Sequence, residues 1–217
     1  LAKGNARAVR GGVTVLADQL AAFYTERADG TTDIYRLDAD GSVRIKSDGQ
    51  TANGEKAVYD VGREILVLSG GTPKMVTTDA VITAQQQLEY WEQRQMAVAR
   101  GKAEAVKDKR RVRADVLAAF FRKTKAGENK VYRVDAYDNV SVLTDRDRAF
   151  GDRGVYNVET GIVTLTGSVR ILRGKNELNG CKAEVNLNTG ISRLFSCPGG
   201  RTKGTLIPGS DRGTAGK

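Results

Sequence analysis

The chain has 217 residues, which is enough for one long β domain or two smaller domains. Its 35 Lys and Arg residues against 26 Asp and Glu residues give a net charge of +9. This charge favours anionic partners, although a well-solvated basic surface explains it equally well. The absence of histidine excludes Ser-His-Asp and Cys-His nucleophiles and histidine metal sites, and no apolar run is long enough to predict a membrane span.

The remaining polar residues show no catalytic pattern. Asp and Glu are scattered without a pair in a cleft-like context, which leaves a carboxylate acid–base mechanism without support. The terminal stretch DRGTAGK lacks the first glycine and the strand–loop–helix context of a phosphate loop. We therefore expect no enzyme activity, no catalytic residue, no cofactor and no metal site.

The first third of the chain predicts β-hairpins. Ala2–Leu16 predicts a turn followed by a strand. A long hairpin over Ala17–Ile45 reverses around Ala28–Gly30, and Asp40-Gly41 predicts a second turn. Another hairpin follows at Ala52–Met75.

The segment Val81–Ala105 allows two interpretations. Its Gln, Glu, Arg and Met residues favour a short amphipathic helix. An internal repeat, however, aligns Leu88 and Tyr90 with Val185 and Leu187 and favours strands. We follow the repeat and expect strands here.

The second half predicts the same units again. A long hairpin covers Ala114–Val142, a shorter one covers Ala149–Leu172, and a looser one covers Asn179–Phe195. In the shorter hairpin, Thr164, Thr166, Ser168 and Arg170 alternate with the apolar residues Val163, Leu165, Val169 and Ile171. A period of two is typical of a strand with one apolar and one polar face.

The repeat defines the architecture. Shifting the chain by 97 residues aligns Ala2–Gly70 with Ala99–Gly167 without a gap, and 27 of the 69 residue pairs are identical. Repeated hairpins bury their apolar faces on their neighbours, so we expect a stacked, all-β protein. We expect a single domain over residues 1–208, built from similar halves at about 2–98 and 99–197, with a disordered tail over 209–217.

The apolar alternation has two interpretations. Its large residues either fill a core between sheets or line an open trough that accepts lipid chains. Small residues recur at strand positions and would leave room inside: Ala22, Ala57, Ala119, Gly154 and Ala183. This slightly favours a cavity.

The basic run Lys107–Arg113 is the strongest charge feature. It is either an exposed turn between strands or an anion site for a phosphate-bearing ligand, formed by Lys107, Lys109, Arg110 and Arg111. The nearby Phe120 and Phe121 follow strand-like alternation, whereas base stacking needs exposed aromatic residues, so we expect no nucleic-acid partner.

The repeated unit resembles the OstA-like β-jellyroll family. The resemblance rests on VTLTGSV (Val163–Val169), on the GxxxxY stretch before it, on the G-x-x-A strand after it, and on the closing segment GGRTKGTLIP (Gly199–Pro208). It covers about Ala2 to Pro208. That family includes the periplasmic lipopolysaccharide-transport proteins LptA and LptC and the amino-terminal domain of LptD.

The resemblance implies an all-β, elongated, twisted jellyroll, open like a boat, that acts as a non-enzymatic carrier in the periplasm. Its apolar interior would shelter the acyl chains of lipopolysaccharide. Applied to the alternation above, it implies a lipid-binding interior face formed by Leu20, Tyr24, Tyr59, Leu68, Leu88, Tyr90, Leu117, Phe121, Tyr156, Val163, Leu165 and Val169.

The implied partners are lipopolysaccharide, LptC-like and LptD-like jellyroll domains joined by edge-strand pairing, and further copies of the chain joined head to tail. We expect the sheet edges at Leu1–Val15 and Phe195–Ile207. Because the chain begins with Leu1, we expect it to start after a processing boundary, with any signal peptide missing. The alternatives are an LptC-like membrane-anchored protein, a structural β-solenoid with a tight interior, and a basic nucleic-acid-binding β protein.

The two cysteines, Cys181 and Cys197, flank the last hairpin. If Leu187 lies opposite Ile191, Cys181 lies directly across from Cys197 and a disulfide is possible. If the hairpin instead uses the register that places Tyr156 opposite Val163 in the preceding one, the cysteines point to opposite faces. Both outcomes stay open at this point.

Overall fold

The computed structural model describes residues 1–47, 49–125, 127–200 and 202–205. Within this part the chain forms strands joined by turns, and no helix there is long and apolar enough to cross a membrane. The strands are β1 (Ala2–Arg10), β2 (Val13–Glu26), β3 (Thr32–Ser47), β4 (Gln50–Asp60), β5 (Ile65–Ser69), β6 (Lys74–Val76), β7 (Val81–Thr83), β8 (Gln87–Trp91), β9 (Met96–Lys107), β10 (Arg110–Lys123), β11 (Asn129–Leu143), β12 (Asp147–Asn157), β13 (Ile162–Arg173), β14 (Asn176–Asn186), β15 (Ser192–Phe195) and β16 (Lys203–Thr205).

The contacts divide the chain into two compact units. The first, Leu1–Ala105, contains an antiparallel sheet in the order β1-β2-β3-β4-β5-β8-β9. Near its middle, β4 pairs with two short strands along one edge: Lys56–Asp60 with β5, and Thr51–Asn53 with β6. The hairpin of β6 and β7 thus pairs with the part of β4 that β5 does not cover.

The second unit, Val106–Lys217, contains the order β10-β11-β12-β13-β14-β15, again antiparallel. Here β14 repeats the arrangement of β4, because Lys182–Val185 pairs with β15 and Glu177–Asn179 pairs with β16. The single-domain prediction for residues 1–208 stays a prediction, and the predicted disordered tail at 209–217 lies outside the described residues.

Two details of the predicted strands are wrong. Ala2–Arg10 is a strand rather than a turn, pairing with β2 from Ala2 opposite Leu20 to Arg10 opposite Val13. Asp40-Gly41 is not a chain reversal but the site of a bulge inside β3, where Gly41 and Ser42 have φ angles of 76° and 49°. A turn and a bulge both demand positive φ, so glycine marks both.

The strand prediction for Val81–Ala105 is confirmed, since β7, β8 and β9 occupy it. The sequence repeat also extends to the irregularities of the sheet. The register of β2 with β3 shifts between Leu16 and Gln19 and again between Phe23 and Tyr24. The register of β10 with β11 shifts at the two equivalent places, between Arg113 and Val116 and between Phe120 and Phe121.

Candidate functional site

In the first unit, apolar residues form rows that run across the strands. Residues directly opposite each other in an antiparallel ladder lie on the same face of the sheet. One row consists of Leu20, Ala39, Ala57, Leu68 and Leu88, each directly opposite the next. The next row, in the same way, consists of Leu37, Tyr59, Leu66 and Tyr90. We call the side that carries these rows the apolar face.

The second unit has an apolar face built in the same way. Its first row consists of Leu117, Ala136, Gly154, Leu165 and Ala183. Its second row consists of Ala119, Val134, Tyr156, Val163 and Val185. Each unit therefore has one side lined by apolar residues from successive strands.

The predicted lipid-binding residues differ in their exposure. Five are buried: Leu68, Leu117, Val163, Leu165 and Val169. Six are half-buried: Leu20, Tyr59, Leu88, Tyr90, Phe121 and Tyr156. Tyr24 is 57% exposed, because it lies near the end of β2 beyond the rows. The pairing brings Leu20, Tyr59, Leu68, Leu88 and Tyr90 onto one face of the first unit, but their binding of lipid stays a prediction.

Two further rows were missed from the sequence. In the first unit the row is Val15, Ile45, Ala52, Met75 and Ile82, and in the second it is Val112, Val142, Ala149, Ile171 and Leu178. They lie beyond the bulges, where β3 has two residues between paired positions and β4 has one. On β4 the apolar residues therefore switch from odd numbers, such as Ala57, to even numbers, such as Ala52. Gly41 is the sequence signal for the bulge on β3, whereas the equivalent bulge on β11 contains Asp138 and Asn139, also at positive φ.

Gly154 and Gly54 do not open a space on the apolar face. A Cβ added at Gly154 would lie 3.2 Å from both Leu165 Cδ2 and Val140 Cγ1. A Cβ added at Gly54 would lie 2.9 Å from Leu68 Cδ1. Large side chains thus fill the room that glycine leaves, and the first row of the second unit is closed, with Leu165 fully buried.

The opposite side of each sheet carries charges. On β3, Arg36 pairs with Asp38 at 2.6 Å, and on β11, Arg133 pairs with Asp135 at 2.6 Å. These residues alternate with Leu37 and Val134 of the apolar rows, so the two faces differ in polarity as the period of two requires.

Two buried carboxylates on the strands are fully paired. Gln87 Nε2 and Trp91 Nε1 donate to Glu89 at 2.8 and 2.7 Å, and Arg100 Nε also donates to it. Burial alone would raise the pKa of Glu89, but these hydrogen bonds outweigh burial and hold its pKa below the ordinary value. Gln87 and Trp91 lie on β8 with Glu89, and Arg100 lies on β9, so this cluster fastens two adjacent strands.

The second carboxylate, Asp147, connects three strands. Arg173 donates from Nε and Nη2 at 2.5 and 2.6 Å, and Ser192 Oγ donates at 2.9 Å. Burial tends to raise the pKa of Asp147, but the bonds from Arg173 and Ser192 lower it below its ordinary value. This cluster holds β15 to β12 and β13.

Two tyrosines in the second row of the first unit have raised pKa values. Burial is the main cause for both Tyr59 and Tyr90, and the charge of Glu92 adds to it. Tyr59 also donates a hydrogen bond from its hydroxyl to Glu92 Oε2 at 3.3 Å. Both rings are therefore neutral near pH 7 and present amphipathic side chains at the border of the apolar face.

The basic run lies around the turn between β9 and β10. Lys107 and Lys109 are exposed, whereas Arg110 and Arg111 are half-buried. Arg110 Nη2 donates to the carbonyl oxygen of Leu187 at 2.7 Å, so one of the four predicted anion ligands serves the packing of the second unit. An anion site here stays a prediction. Among the described residues, no group of three or more Cys, Asp or Glu side chains is placed to hold a metal ion.

Cys181 and Cys197 form a disulfide, with their Cα atoms 4.9 Å apart. The register that places Leu187 opposite Ile191 is wrong, because Asn186 N donates to the carbonyl of Ile191 and Val185 lies opposite Ser192. This is the register of the preceding hairpin, with Tyr156 opposite Val163. The bond forms nevertheless, since β15 ends at Phe195 and the chain leaves the ladder before Cys197.

Comparison with known proteins identifies the same architecture elsewhere. The structure is similar to the crystal structure of LptH, the LptA homologous periplasmic component of the lipopolysaccharide transport device of Pseudomonas aeruginosa, with a TM-score of 0.50 and 16% sequence identity. The similarity covers 59% of this chain and 95% of LptH. The all-β jellyroll fold is therefore confirmed.

Sequence comparison is consistent with this fold. An uncharacterized protein of Rhizobium meliloti (strain 1021) is 25% identical over 150 residues, which cover 67% of this chain and 76% of that protein. The family described as LptA/(LptD N-terminal domain) LPS transport protein matches residues 1–87 and again residues 81–191. The two matches follow the internal repeat and together cover most of the chain. The chain belongs to the LptA/(LptD N-terminal domain) LPS transport protein family.

Proposed function

We propose that this chain is a non-enzymatic periplasmic carrier of lipopolysaccharide, which shelters acyl chains on its apolar face and joins inner- and outer-membrane components end to end. The observation that carries the proposal is the set of apolar rows that cross the strands of each unit. A sheet side that is apolar over many strands offers the continuous surface that several acyl chains need. Removing apolar surface from water contributes about 25 cal/mol per Å².

The second row of the first unit is half-buried throughout, and this is where we expect acyl chains to bind. The row containing Leu68 is buried at Ala39, Ala57 and Leu68 and half-buried only at its two ends, whereas Tyr59, Leu66 and Tyr90 all retain exposed area. A bound acyl chain would cover these side chains, while the charged headgroup of the lipid stayed in water. The net charge of +9 suits a ligand that carries phosphates.

The disulfide supports a periplasmic location. Disulfides persist in oxidising compartments such as the bacterial periplasm and are rare in the cytosol. The disulfide between Cys181 and Cys197 links the connection between β15 and β16 to β14. Reducing conditions would break this link.

The strand edges support an end-to-end assembly. In the first unit, the edges of β5 and β6 are paired by β8 and β7. In the second unit, the equivalent β15 and β16 pair only with β14 among the described residues, and β1 likewise pairs only with β2. Unpaired edges accept a strand from another chain. The partners we propose are further copies of this chain and LptC-like and LptD-like jellyroll domains.

The lipid-binding part of the proposal is tested with two adjacent residues on opposite faces. Leu66 lies on the apolar face between Tyr59 and Tyr90, and Val67 lies on the other face between Val58 and Glu89. Both are half-buried. We expect the delipidated protein to rebind lipopolysaccharide, Leu66→Gln to weaken binding about tenfold or more, and Val67→Gln to retain it. Equal binding by the two variants, or no binding by the unaltered chain, would overturn the proposal.

The assembly part is tested at β1. Successive residues of a strand point their N–H groups to opposite sides, so only one of Ala8→Pro and Val9→Pro removes a donor from the outer edge. We expect light scattering to show oligomers that lengthen with concentration, and one of the two variants to stop this growth while remaining folded. A strict monomer at all concentrations would contradict the assembly.

A further inference from the structure

Two hairpin ends of this chain are closed by equivalent backbone hydrogen bonds. The first end comprises residues 25–36 and the second comprises residues 122–133, which are equivalent in the repeat. In the first, Arg27 N donates to Thr31 O at 2.7 Å, and Gly30 N donates to Arg27 O at 3.0 Å. In the second, Thr124 N donates to Glu128 O at 2.8 Å, and Gly127 N donates to Thr124 O at 2.9 Å.

The side chains beneath the two ends are also alike. The rings of Phe23 and Tyr35 lie 6.3 Å apart, and those of Phe120 and Tyr132 lie 6.5 Å apart. The guanidinium groups of Arg36 and Arg133 stack over the two phenylalanines at 5.6 and 5.7 Å. The two hairpins therefore share these hydrogen bonds and these packed side chains, and their differences lie in the other side chains of their ends.

The ends differ in charge. The first contains Arg27 and Arg36 against Glu26, Asp29 and Asp33. The second contains one acid, Glu128, against five basic residues, Arg122, Lys123, Lys125, Lys130 and Arg133. Lys123 stands where the first end has Glu26, Lys125 where it has Ala28, and Lys130 where it has Asp33. An equivalent loop with the same hydrogen bonds thus carries the opposite charge.

The three lysines of the second end are exposed, and the structure gives them no ion pair among the described residues. They surround the end rather than line one face. Lys123 lies opposite Asn129 and Lys130 opposite Arg122, at adjacent positions that point to opposite sides, while Lys125 lies in the loop. Arg122 is paired with Glu159 and stacks over the exposed Tyr132 at 5.9 Å.

We propose that this second hairpin end docks on an anionic phospholipid membrane surface. Because the three lysines point to different sides of the hairpin end, they do not converge on one small anion, but all three can reach a flat surface that the end meets. Lysines attract anionic lipids at such a surface, and a tyrosine at the same end suits the border between headgroups and acyl chains. This docking does not require the chain to carry lipopolysaccharide.

The test uses the full chain and vesicles without lipopolysaccharide. One set is phosphatidylcholine alone, and the other contains about a third phosphatidylglycerol. The hairpin variant Lys123→Glu, Lys125→Ala, Lys130→Asp places the residues of the first end on the second. The control variant Lys46→Glu, Lys74→Ala, Lys175→Asp makes the same changes at exposed lysines that form no ion pair in the described part. We expect the unaltered chain and the control to sediment with anionic vesicles, and the hairpin variant to bind about a hundredfold more weakly.

We also expect binding to fall as ionic strength rises and to be absent on neutral vesicles. Equal loss in the control would show that only net charge matters and would overturn the proposal. So would binding to neutral vesicles, or no binding by the unaltered chain. Hairpin-dependent binding of a single-stranded oligonucleotide that is tighter than vesicle binding at the same ionic strength would also overturn it, because the partner would then be a nucleic acid.

Discussion

Gly154 on β12 lies directly opposite Leu165 on β13, and the leucine occupies the space that a larger residue would need. A Cβ at Gly154 would approach Leu165 Cδ2 to 3.2 Å. The glycine therefore sets the packing of the apolar face in the second unit.

The first prediction concerns this contact. We expect Gly154→Val to lower the free energy of unfolding by about 1–3 kcal/mol, because the added methyl groups overpack the row. Chemical denaturation measures the change. Gly62→Val is the control, since a Cβ there would meet only Asp60 Oδ1 at 3.7 Å, and we expect a change within about 0.5 kcal/mol. Equal losses at both positions would show that the row is not tightly packed.

The second prediction concerns Asp147. Its pKa is lowered in the folded protein, so the stability that it contributes is fully present above the unfolded aspartate pKa of about 3.9. That stability is lost as the pH falls through the lowered pKa of the folded state.

We expect Asp147→Asn to lower the free energy of unfolding at pH 7 by about 1–3 kcal/mol, because it removes the negative charge and puts an NH2 group, which cannot accept, where Oδ2 takes the bonds from Arg173 Nη2 and Ser192 Oγ. Denaturation curves from pH 7 down to about pH 2 should fall less steeply for this variant than for the unaltered chain. Asp145→Asn, in the exposed turn nearby, should change little at pH 7. Parallel acid profiles for Asp147→Asn and the unaltered chain would contradict this role.

The third prediction concerns the disulfide. Cys181 and Cys197 are separated by 16 residues in the sequence. A crosslink that closes a loop of this length stabilises by about 3 kcal/mol in the chain-entropy model. We expect reductant to lower the melting temperature of the unaltered chain and to leave a Cys181→Ser, Cys197→Ser variant unchanged. Mass spectrometry of the non-reduced protein should find no free thiol, and finding two would contradict the structure.

The repeat was sufficient to predict an all-β protein of stacked hairpins, because Ala17–Ile45 and Ala114–Val142 show the same alternation, whereas the jellyroll followed from the family resemblance. The bulge at Gly41 was mistaken for a turn, since both require positive φ. The row containing Ala52 does not follow from simple alternation, because a bulge on one strand changes which residues of the neighbouring strand share a face.

The sequence leaves the disulfide open, because its formation depends on where β15 ends, which strand periodicity does not fix. Alternation identifies an apolar face but not its ligand, since core packing and lipid binding demand the same period of two.

Binding of lipopolysaccharide on the apolar face is tested most directly by photo-crosslinking at neighbouring residues of one strand. Tyr156 lies on the apolar face and Val155 on the opposite face, where it is 36% exposed. A photoreactive amino acid is placed at one position or the other, and the folded protein is irradiated with lipopolysaccharide. We expect crosslinks to lipopolysaccharide from position 156 and not from position 155. Crosslinks from position 155 alone, or equally from both, would contradict this expectation.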